Sequence, residues 1–199
     1  IADNTALNTT TTFTFSAWIY SNNIATEQMV YSNTNASIGW HVEVYGSRLI
    51  MQVYPSGAYT NSLTAMSSNT WQHIALTYNN GAIAYYLNGV PNGTASYTFS
   101  APTGITKRIG LFFSSSYPWN GKIDDVRFYN YARTQAQIAW DYNKGKPVGY
   151  WRFDESSGTT CYDDSGNNNG AATIGATGTQ TTIASARTNG ATGKYGKCM

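Results

Sequence analysis

The segment Trp71–Thr94 reads WQHIALTYNNGAIAYYLNGVPNGT. Its pattern predicts three short strands with two turns between them. Residues 70–78, 82–87 and 90–93 are strand-sized, and the first two are rich in β-branched, aromatic and small apolar residues. Asn79-Asn80-Gly81 and Asn88-Gly89 separate them, and Asn and Gly tolerate the positive φ of tight hairpin turns. The segment therefore predicts two consecutive β-hairpins.

Strand-sized segments of the same kind occur on both sides of these hairpins. Residues 13–20, FTFSAWIY, alternate, which predicts a central strand with Phe13, Phe15, Ala17 and Ile19 on one face and Thr14, Ser16, Trp18 and Tyr20 on the other. We expect the indoles of Trp18 and Trp71 to lie in the core. Further strands are predicted at 28–32, 39–44, 48–54, 60–65, 108–113, 122–129 and 148–153, with a short second strand after 159 and loops or one edge strand in the tail.

One helical pattern covers Thr134–Tyr142, where Thr134 is a candidate N-cap and Ile138 shares a face with Tyr142. About a dozen short strands and this helix predict an all-β fold, a two-sheet antiparallel β-sandwich over residues 1–199. The length of 199 residues suits one such domain.

The composition argues against some classes of function. Charged residues make up 11% of the chain and the net charge is +2, with no basic run, so a nucleic-acid partner is not expected. The apolar runs are strand-sized, so membrane insertion is not expected either. The polar, Tyr-rich composition favours an extracellular or cell-surface location. Cys161 and Cys198 would form one disulfide in an oxidising compartment, two free thiols being the alternative.

Four segments together resemble the laminin-G-like, concanavalin A-like jelly-roll domains. FTFSAWIY is similar to the first core strand of that family, and Trp71–Thr94 is similar to its signature hairpin. Residues 121–145, GKIDDVRFYNYARTQAQIAWDYNKG, resemble its closing strand and trailing helix. Residues 149–170, GYWRFDESSGTTCYDDSGNNNG, resemble its opening motif. The resemblance implies a jelly roll with a binding role.

The opening motif stands last in this chain, and three interpretations remain open. The segment 148–199 could complete the same sandwich as a circular permutant. The sequence could be cut from a tandem array out of frame with the domain boundary. Alternatively, a neighbouring copy could supply the missing segment, which would mean self-association through the chain ends.

The resemblance also implies a structural Ca²⁺ site. Asp163 matches the loop aspartate of the family, and Asn167 and Asn169 offer oxygens near it. Asp124 and Asp125 lie on the closing strand, which in the family packs close to the opening motif. Carboxylate and carbonyl oxygens suit Ca²⁺. The alternative is an Asx-turn in which Asp163 bonds its own backbone without a metal.

Aromatic side chains in loops and at strand ends suggest a carbohydrate surface, because sugar rings stack on them; the alternative is that these rings half-fill the sandwich faces. The candidates are Trp119, Tyr117, Tyr59 and Trp40. A glycoside hydrolase is disfavoured because it needs two carboxylates facing one cleft, whereas Glu27 and Glu43 stand alone in the sequence. We therefore expect a non-catalytic extracellular module that binds a glycan or a protein. A structural subunit of a surface appendage or tandem adhesin is the alternative.

Overall fold

The computed structural model describes residues 1–8, 11–35, 37–99, 102–144, 146–147, 149–155, 157–165, 168–175, 182–187, 192–193 and 196–197. The chain divides into two compact units, Ile1–Tyr142 and Asn143–Met199. The first unit contains two five-stranded antiparallel sheets. That residues 148–199 complete the same domain stays a prediction.

The first sheet has the strand order β10-β1-β6-β7-β8. Strand β1 pairs with β6 and β10, so the prediction of a central strand is confirmed. The register between β1 and β10 shifts between Ser16 and Trp18, where Asp125 of β10 adopts a φ of 48° and forms a bulge. The strands of this sheet are β1 (Thr12–Ser21), β6 (Trp71–Asn79), β7 (Ala82–Leu87), β8 (Val90–Ser96) and β10 (Gly121–Tyr129).

The second sheet has the strand order β5-β4-β3-β2-β9. Strands β3 and β4 form the predicted hairpin, and β5 is the predicted edge strand in a shorter form. The strands are β2 (Gln28–Thr34), β3 (Gly39–Tyr45), β4 (Arg48–Tyr54), β5 (Tyr59–Asn61) and β9 (Arg108–Ile109). Strand β9 is shorter than the predicted 108–113 because Gly110 turns the chain with a φ of 72°.

The core lies between the two sheets and is rich in aromatic rings. Phe13 of β1 stacks on Trp40 of β3, with the ring centroids 4.6 Å apart. The ring of Tyr78 also stacks on Phe13, at a centroid distance of 5.3 Å. The alternation in β1 is confirmed, since Phe13, Phe15, Ala17 and Ile19 all belong to this core.

Two tryptophans predicted for the core lie instead on the outer face of the first sheet. Trp71 is 41% exposed and pairs across the strands with Tyr20. Trp18 is half-buried under Tyr142, whose ring is 5.6 Å away. Both positions follow from the alternation of side chains along a strand, which places them opposite the core residues.

The predicted helix is present as α1 (Gln135–Asn143). Thr134 Oγ1 accepts the N–H of Gln137 at 3.3 Å, and Gln137 Oε1 accepts the N–H of Thr134 at 2.9 Å. This reciprocal pair is a capping box and confirms Thr134 as the N-cap. Ile138 is fully buried and packs α1 against Ala75 and Tyr86 on the outer face of the first sheet.

In the second unit, the predicted strand at 148–153 is wrong for the described residues 149–153. Trp151 forms only an isolated bridge with Asp163, and Phe153 adopts a φ of 58°, which breaks an extended run. The predicted loop-rich tail contains a second short helix, capped where the N–H of Ser185 donates to Thr182 Oγ1. The elements are β11 (Thr160–Cys161), β12 (Gly170–Ala171), α2 (Ile183–Arg187), β13 (Thr192–Gly193) and β14 (Gly196–Lys197).

Candidate functional site

The outer face of the second sheet combines polar and aromatic side chains. Trp40, Val42 and Val44 of β3 point into the core, so His41 and Glu43 point to the outer face. On β4, Gln52 lies opposite His41, and Tyr54 lies further along the same face. The imidazole of His41 and the ring of Tyr54 are 5.8 Å apart.

The loop that follows β9 covers part of this face. Gly110 redirects the chain, and the N–H of Met29 on β2 donates to the carbonyl of Tyr117 at 2.9 Å, which ties the loop to the sheet. The ring of Phe112 meets His41 edge-on at 5.1 Å, and Tyr117 lies 5.9 Å from Phe112. Four rings therefore form a row across the face, in the order Tyr54, His41, Phe112 and Tyr117.

Two of the four predicted ligand-binding residues lie on this face or its covering loop with open rings. Tyr59 of β5 pairs with Gln52, which places its side chain on the same face, and it is 66% exposed. Tyr117 is 42% exposed at the end of the row of rings. Their use as ligand contacts stays a prediction.

The other two predicted residues do not present open rings. Trp40 is 1% exposed and belongs to the core, so the assignment of Trp40 to a sugar-binding surface is wrong. Its strand position places it opposite His41, on the inner face. Trp119 is half-buried, packs against the core and donates its Nε1 hydrogen to the carbonyl of Lys122 at 3.2 Å.

Two carboxyl groups that stand apart in the sequence meet on this face. Glu27 hydrogen-bonds Glu43, and burial first and the charge of Glu43 second raise the pKa of Glu27. Glu43 Oε2 lies 3.3 Å from His41 Nε2. Glu27 and Glu43, which stand apart in the sequence, come close in the fold because the turn before β2 brings Glu27 beside β3.

A groove continues the site at one end of the sandwich. It has a volume of about 390 Å³ and lies beside Tyr54, which thus borders both the groove and the outer face. Aromatic rings and hydroxyl groups line it, which suits a ligand with apolar faces and polar edges. The lining residues are Tyr54, Pro55, Ser56, Tyr97, Thr98 and Phe99.

The predicted metal ligand Asp163 is the centre of a hydrogen-bonded loop. Its Oδ1 accepts the N–H groups of Tyr150 at 2.7 Å and Ser165 at 2.9 Å. Its Oδ2 accepts the hydroxyl of Ser165 at 2.5 Å and the N–H of Asn168 at 3.0 Å. These donors, the Ser165 hydroxyl above all, hold the pKa of Asp163 well below its usual range. Asn169 Oδ1 accepts the N–H of Asp163 at 2.9 Å.

The other predicted ligands are also engaged. Both carboxylate oxygens of Asp125 accept bonds from Arg127 at 2.9 Å, and Asp124 Oδ1 accepts the N–H of Asp125 at 2.8 Å. Asn167 lies outside the described residues. In the part of the chain that the structure describes, no group of three His, Cys, Asp or Glu side chains could hold a metal.

The carboxylate oxygens of Asp163 and Asp125 and the amide oxygen of Asn169 already accept bonds from protein donors. The arrangement of Asp163 is the Asx-turn alternative. The calcium site itself stays a prediction. The disulfide also stays a prediction, since Cys161 is buried on β11 and Cys198 lies outside the described residues.

The comparisons with known proteins agree with this architecture. A family model described as the concanavalin A-like lectin/glucanases superfamily, Laminin_G_3, matches residues 1–139. Among curated proteins, none matches the sequence. The helices in the described ranges include none with the length and hydropathy of a membrane span.

Solved structures with the same fold share little sequence with this chain. The binding domain of Paraclostridial Mosquitocidal Protein 1 is 18% identical with a TM-score of 0.55, over 75% of this chain and 44% of that one. A provisionally assigned carbohydrate-binding protein from Bacteroides ovatus is 21% identical with a TM-score of 0.59, over 86% and 54%. Domain 4 of an extracellular arabinanase from Geobacillus stearothermophilus, in complex with arabinotriose, is 17% identical with a TM-score of 0.58, over 70% and 69%. The chain thus spans about half the length of the first two structures.

Proposed function

The chain belongs to the concanavalin A-like lectin/glucanases superfamily, and from that membership we propose that it is a non-catalytic module that binds glycans outside the cell. The observation that carries this proposal is the outer face of the second sheet. There, open tyrosine rings at Tyr59 and Tyr117 flank polar side chains of β3 and β4. The arabinanase domain in complex with arabinotriose supports a glycan as the ligand class.

The chemistry of this face suits sugar binding. Aromatic rings offer flat apolar surfaces to the C–H faces of a sugar, and carboxyl, amide and imidazole groups exchange hydrogen bonds with its hydroxyls. Gln52 and Tyr54 are already oriented, because Tyr54 Oη donates to Gln52 Oε1 at 3.2 Å and Gln52 Nε2 donates to the carbonyl of Gly57 at 2.8 Å. Side chains that are fixed before binding lose less conformational entropy when a ligand arrives.

The contact between Glu27 and Glu43 supports binding over hydrolysis. In a glycoside hydrolase, an acid and a nucleophile or base act on opposite sides of the scissile bond, and this requires space between them. Glu43 raises the pKa of Glu27, which indicates two neighbouring carboxyl groups and does not suit that arrangement.

A glycan array tests the proposal, followed by calorimetric titration with the best oligosaccharide. Replacing Tyr59 or Tyr117 with Ala should weaken binding, since each substitution removes an open ring. Tyr131→Ala is the matched control, because Tyr131 is 43% exposed, like Tyr117, but lies beyond the end of β10 in the first sheet. Binding that survives the loss of both rings would contradict the assignment of this face.

The proposed location and the alternative partners rest on the sequence. An extracellular location fits the low charged fraction of 11% and the polar, Tyr-rich composition. An extracellular protein as partner, a role as a structural subunit and self-association through the chain ends stay predictions. Light scattering over a range of protein concentrations tests self-association, and a monomer at every concentration would exclude it.

A further inference from the structure

Four buried polar atoms without hydrogen-bond partners cluster on the outer face of the second sheet. Within the described residues, Ser32 Oγ and His41 Nδ1 have no hydrogen-bond partner, and His41 Nε2 and Glu43 Oε2 lie 3.3 Å apart without forming a hydrogen bond. Ser32 lies directly opposite His41 in the pairing of β2 with β3, and Glu43 is two residues further along the same face. These side chains therefore line one patch.

The patch is buried, and a half-buried carboxyl group stands at its border. Ser32, His41 and Glu43 are 0%, 1% and 7% exposed. Glu27, which hydrogen-bonds Glu43, is half-buried and borders solvent. The ring of Phe112 stands edge-on against His41 and forms an apolar wall on another side. Buried polar groups are nearly always hydrogen-bonded in proteins, so a cluster of unpaired ones calls for a partner from outside the chain.

The hydrogen-bonding capacity of the patch defines the partner. A neutral imidazole offers one donor and one acceptor, a serine hydroxyl offers both, and a carboxylate offers acceptors alone. Hydroxyl groups satisfy all three, because each hydroxyl both donates and accepts. A ligand that carries a carboxylate would be repelled by the carboxyl groups of Glu27 and Glu43. Arg108 of β9 pairs with Ser32 of β2, and its guanidinium already donates to the carbonyl of Thr106 at 3.4 Å.

We propose that Ser32, His41, Glu43 and Glu27 form a hydroxyl anchor that binds adjacent hydroxyls of a neutral sugar residue, whose ring lies against the rings of Phe112 and Tyr54. This inference rests on the proposed glycan binding and names the sugar class and the polar contacts. Imidazole and carboxyl groups bond the hydroxyls of one edge of the sugar. The aromatic walls contact its C–H groups.

Matched serine variants test the anchor. Ser32→Ala and Ser16→Ala each remove a fully buried hydroxyl that has no partner among the described residues, but Ser16 lies on the outer face of the other sheet. Neither substitution should lower the melting temperature of the free protein, because neither breaks a hydrogen bond. The loss of one hydrogen bond to the ligand should reduce sugar affinity roughly two- to tenfold in Ser32→Ala. Ser16→Ala should bind like the wild type.

The measurement is an NMR titration of the full chain with glucose, galactose, mannose, arabinose and glucuronate. It follows the ring signals of His41, Tyr59 and Tyr117. We expect at least one neutral sugar to shift the His41 signals, and Glu43→Gln to reduce its affinity roughly ten- to hundredfold, since a charged acceptor is lost.

Three results would overturn the inference in distinguishable ways. Shifts at Tyr59 and Tyr117 without shifts at His41, or unchanged affinity in Ser32→Ala, would remove the anchor and leave glycan binding in place. Glucuronate binding as tight as that of the neutral sugars would contradict the sugar class. The absence of any shift, together with a blank glycan array, would overturn the proposed function and the anchor with it.

Discussion

The ammonium group of Lys107 is fully buried and pairs with the carboxylate of Asp3. Asn8 Oδ1 accepts a second bond from Lys107 Nζ at 2.6 Å, and the N–H of Gly104 donates to Asp3 Oδ2 at 2.8 Å. The hydrogen bond from Lys107 is the main cause that lowers the pKa of Asp3 from 3.8 to about 2. This contact ties residues before β1 to the chain that leads into β9.

Asp3→Asn should lower the melting temperature at neutral pH, because it leaves a buried ammonium without its counter-charge. The pKa of Asp3 is depressed in the folded state, so its contribution to stability is present above pH 3.8 and is lost as the pH falls from 3.8 towards 2. As the pH is lowered across that range, the melting temperature should therefore decline less in the variant than in the wild type. Asp164→Asn, at an exposed pair with Arg152, is the control and should change little.

Trp40→Ala should destabilise the first unit by about 3–5 kcal/mol, the range for removing a large buried aromatic side chain. Tyr59→Ala should change the free energy of unfolding by no more than about 0.5 kcal/mol, because its ring is largely exposed. Urea denaturation measures both. Similar losses in the two variants would contradict the separation of Trp40 from the binding face.

His73 should make stability depend on pH. Burial is the main cause that lowers its pKa from 6.5 to about 4, with Arg127 adding to it. The unfolded chain binds a proton at His73 below pH 6.5, whereas the folded chain does so only near pH 4, so stability falls as the pH drops through this window. The difference between the two pKa values corresponds to roughly 3 kcal/mol.

His73→Phe should remove this dependence and retain a ring that packs against Trp18 and Tyr142. Urea denaturation at several pH values between 4 and 6.5 compares the variant with the wild type. Parallel pH profiles would show that His73 is not the group responsible.

Calcium should have little effect if the loop around Asp163 keeps its hydrogen bonds. All four bonds to its carboxylate come from protein donors, so a cation would have to displace them. We expect EDTA to leave the melting temperature unchanged and calorimetry with CaCl₂ to show no heat of binding. A clear rise in melting temperature on adding Ca²⁺ would instead support the site predicted from the sequence.

The alternation and turn residues were sufficient to predict the sandwich. In β1, period-two alternation placed Phe13 and Phe15 in the core, and Asn88-Gly89 marked a turn. The ends of strands were harder to predict. A single left-handed residue such as Gly110 or Phe153 ends an extended segment, although the composition around it is typical of a strand. Trp71 was misplaced because residue type was weighed above its position in the alternation.

The candidate site was less predictable for a physical reason. Glu27 and Glu43 meet only because the turn before β2 folds beside β3, and no local pattern records that contact. Trp40 and Tyr59 both looked like surface aromatics, but their faces depend on strand register. Tertiary placement, rather than residue type, separates a core ring from a binding ring.

The bulge at Asp125 also affects how copies of this module can meet. Strand β10 lies at the edge of its sheet, and an unbroken edge offers a row of backbone groups to which another molecule can add. At Asp125, a left-handed residue held by Arg127 interrupts that row midway along the strand. Such an interruption disfavours the addition of another strand along β10.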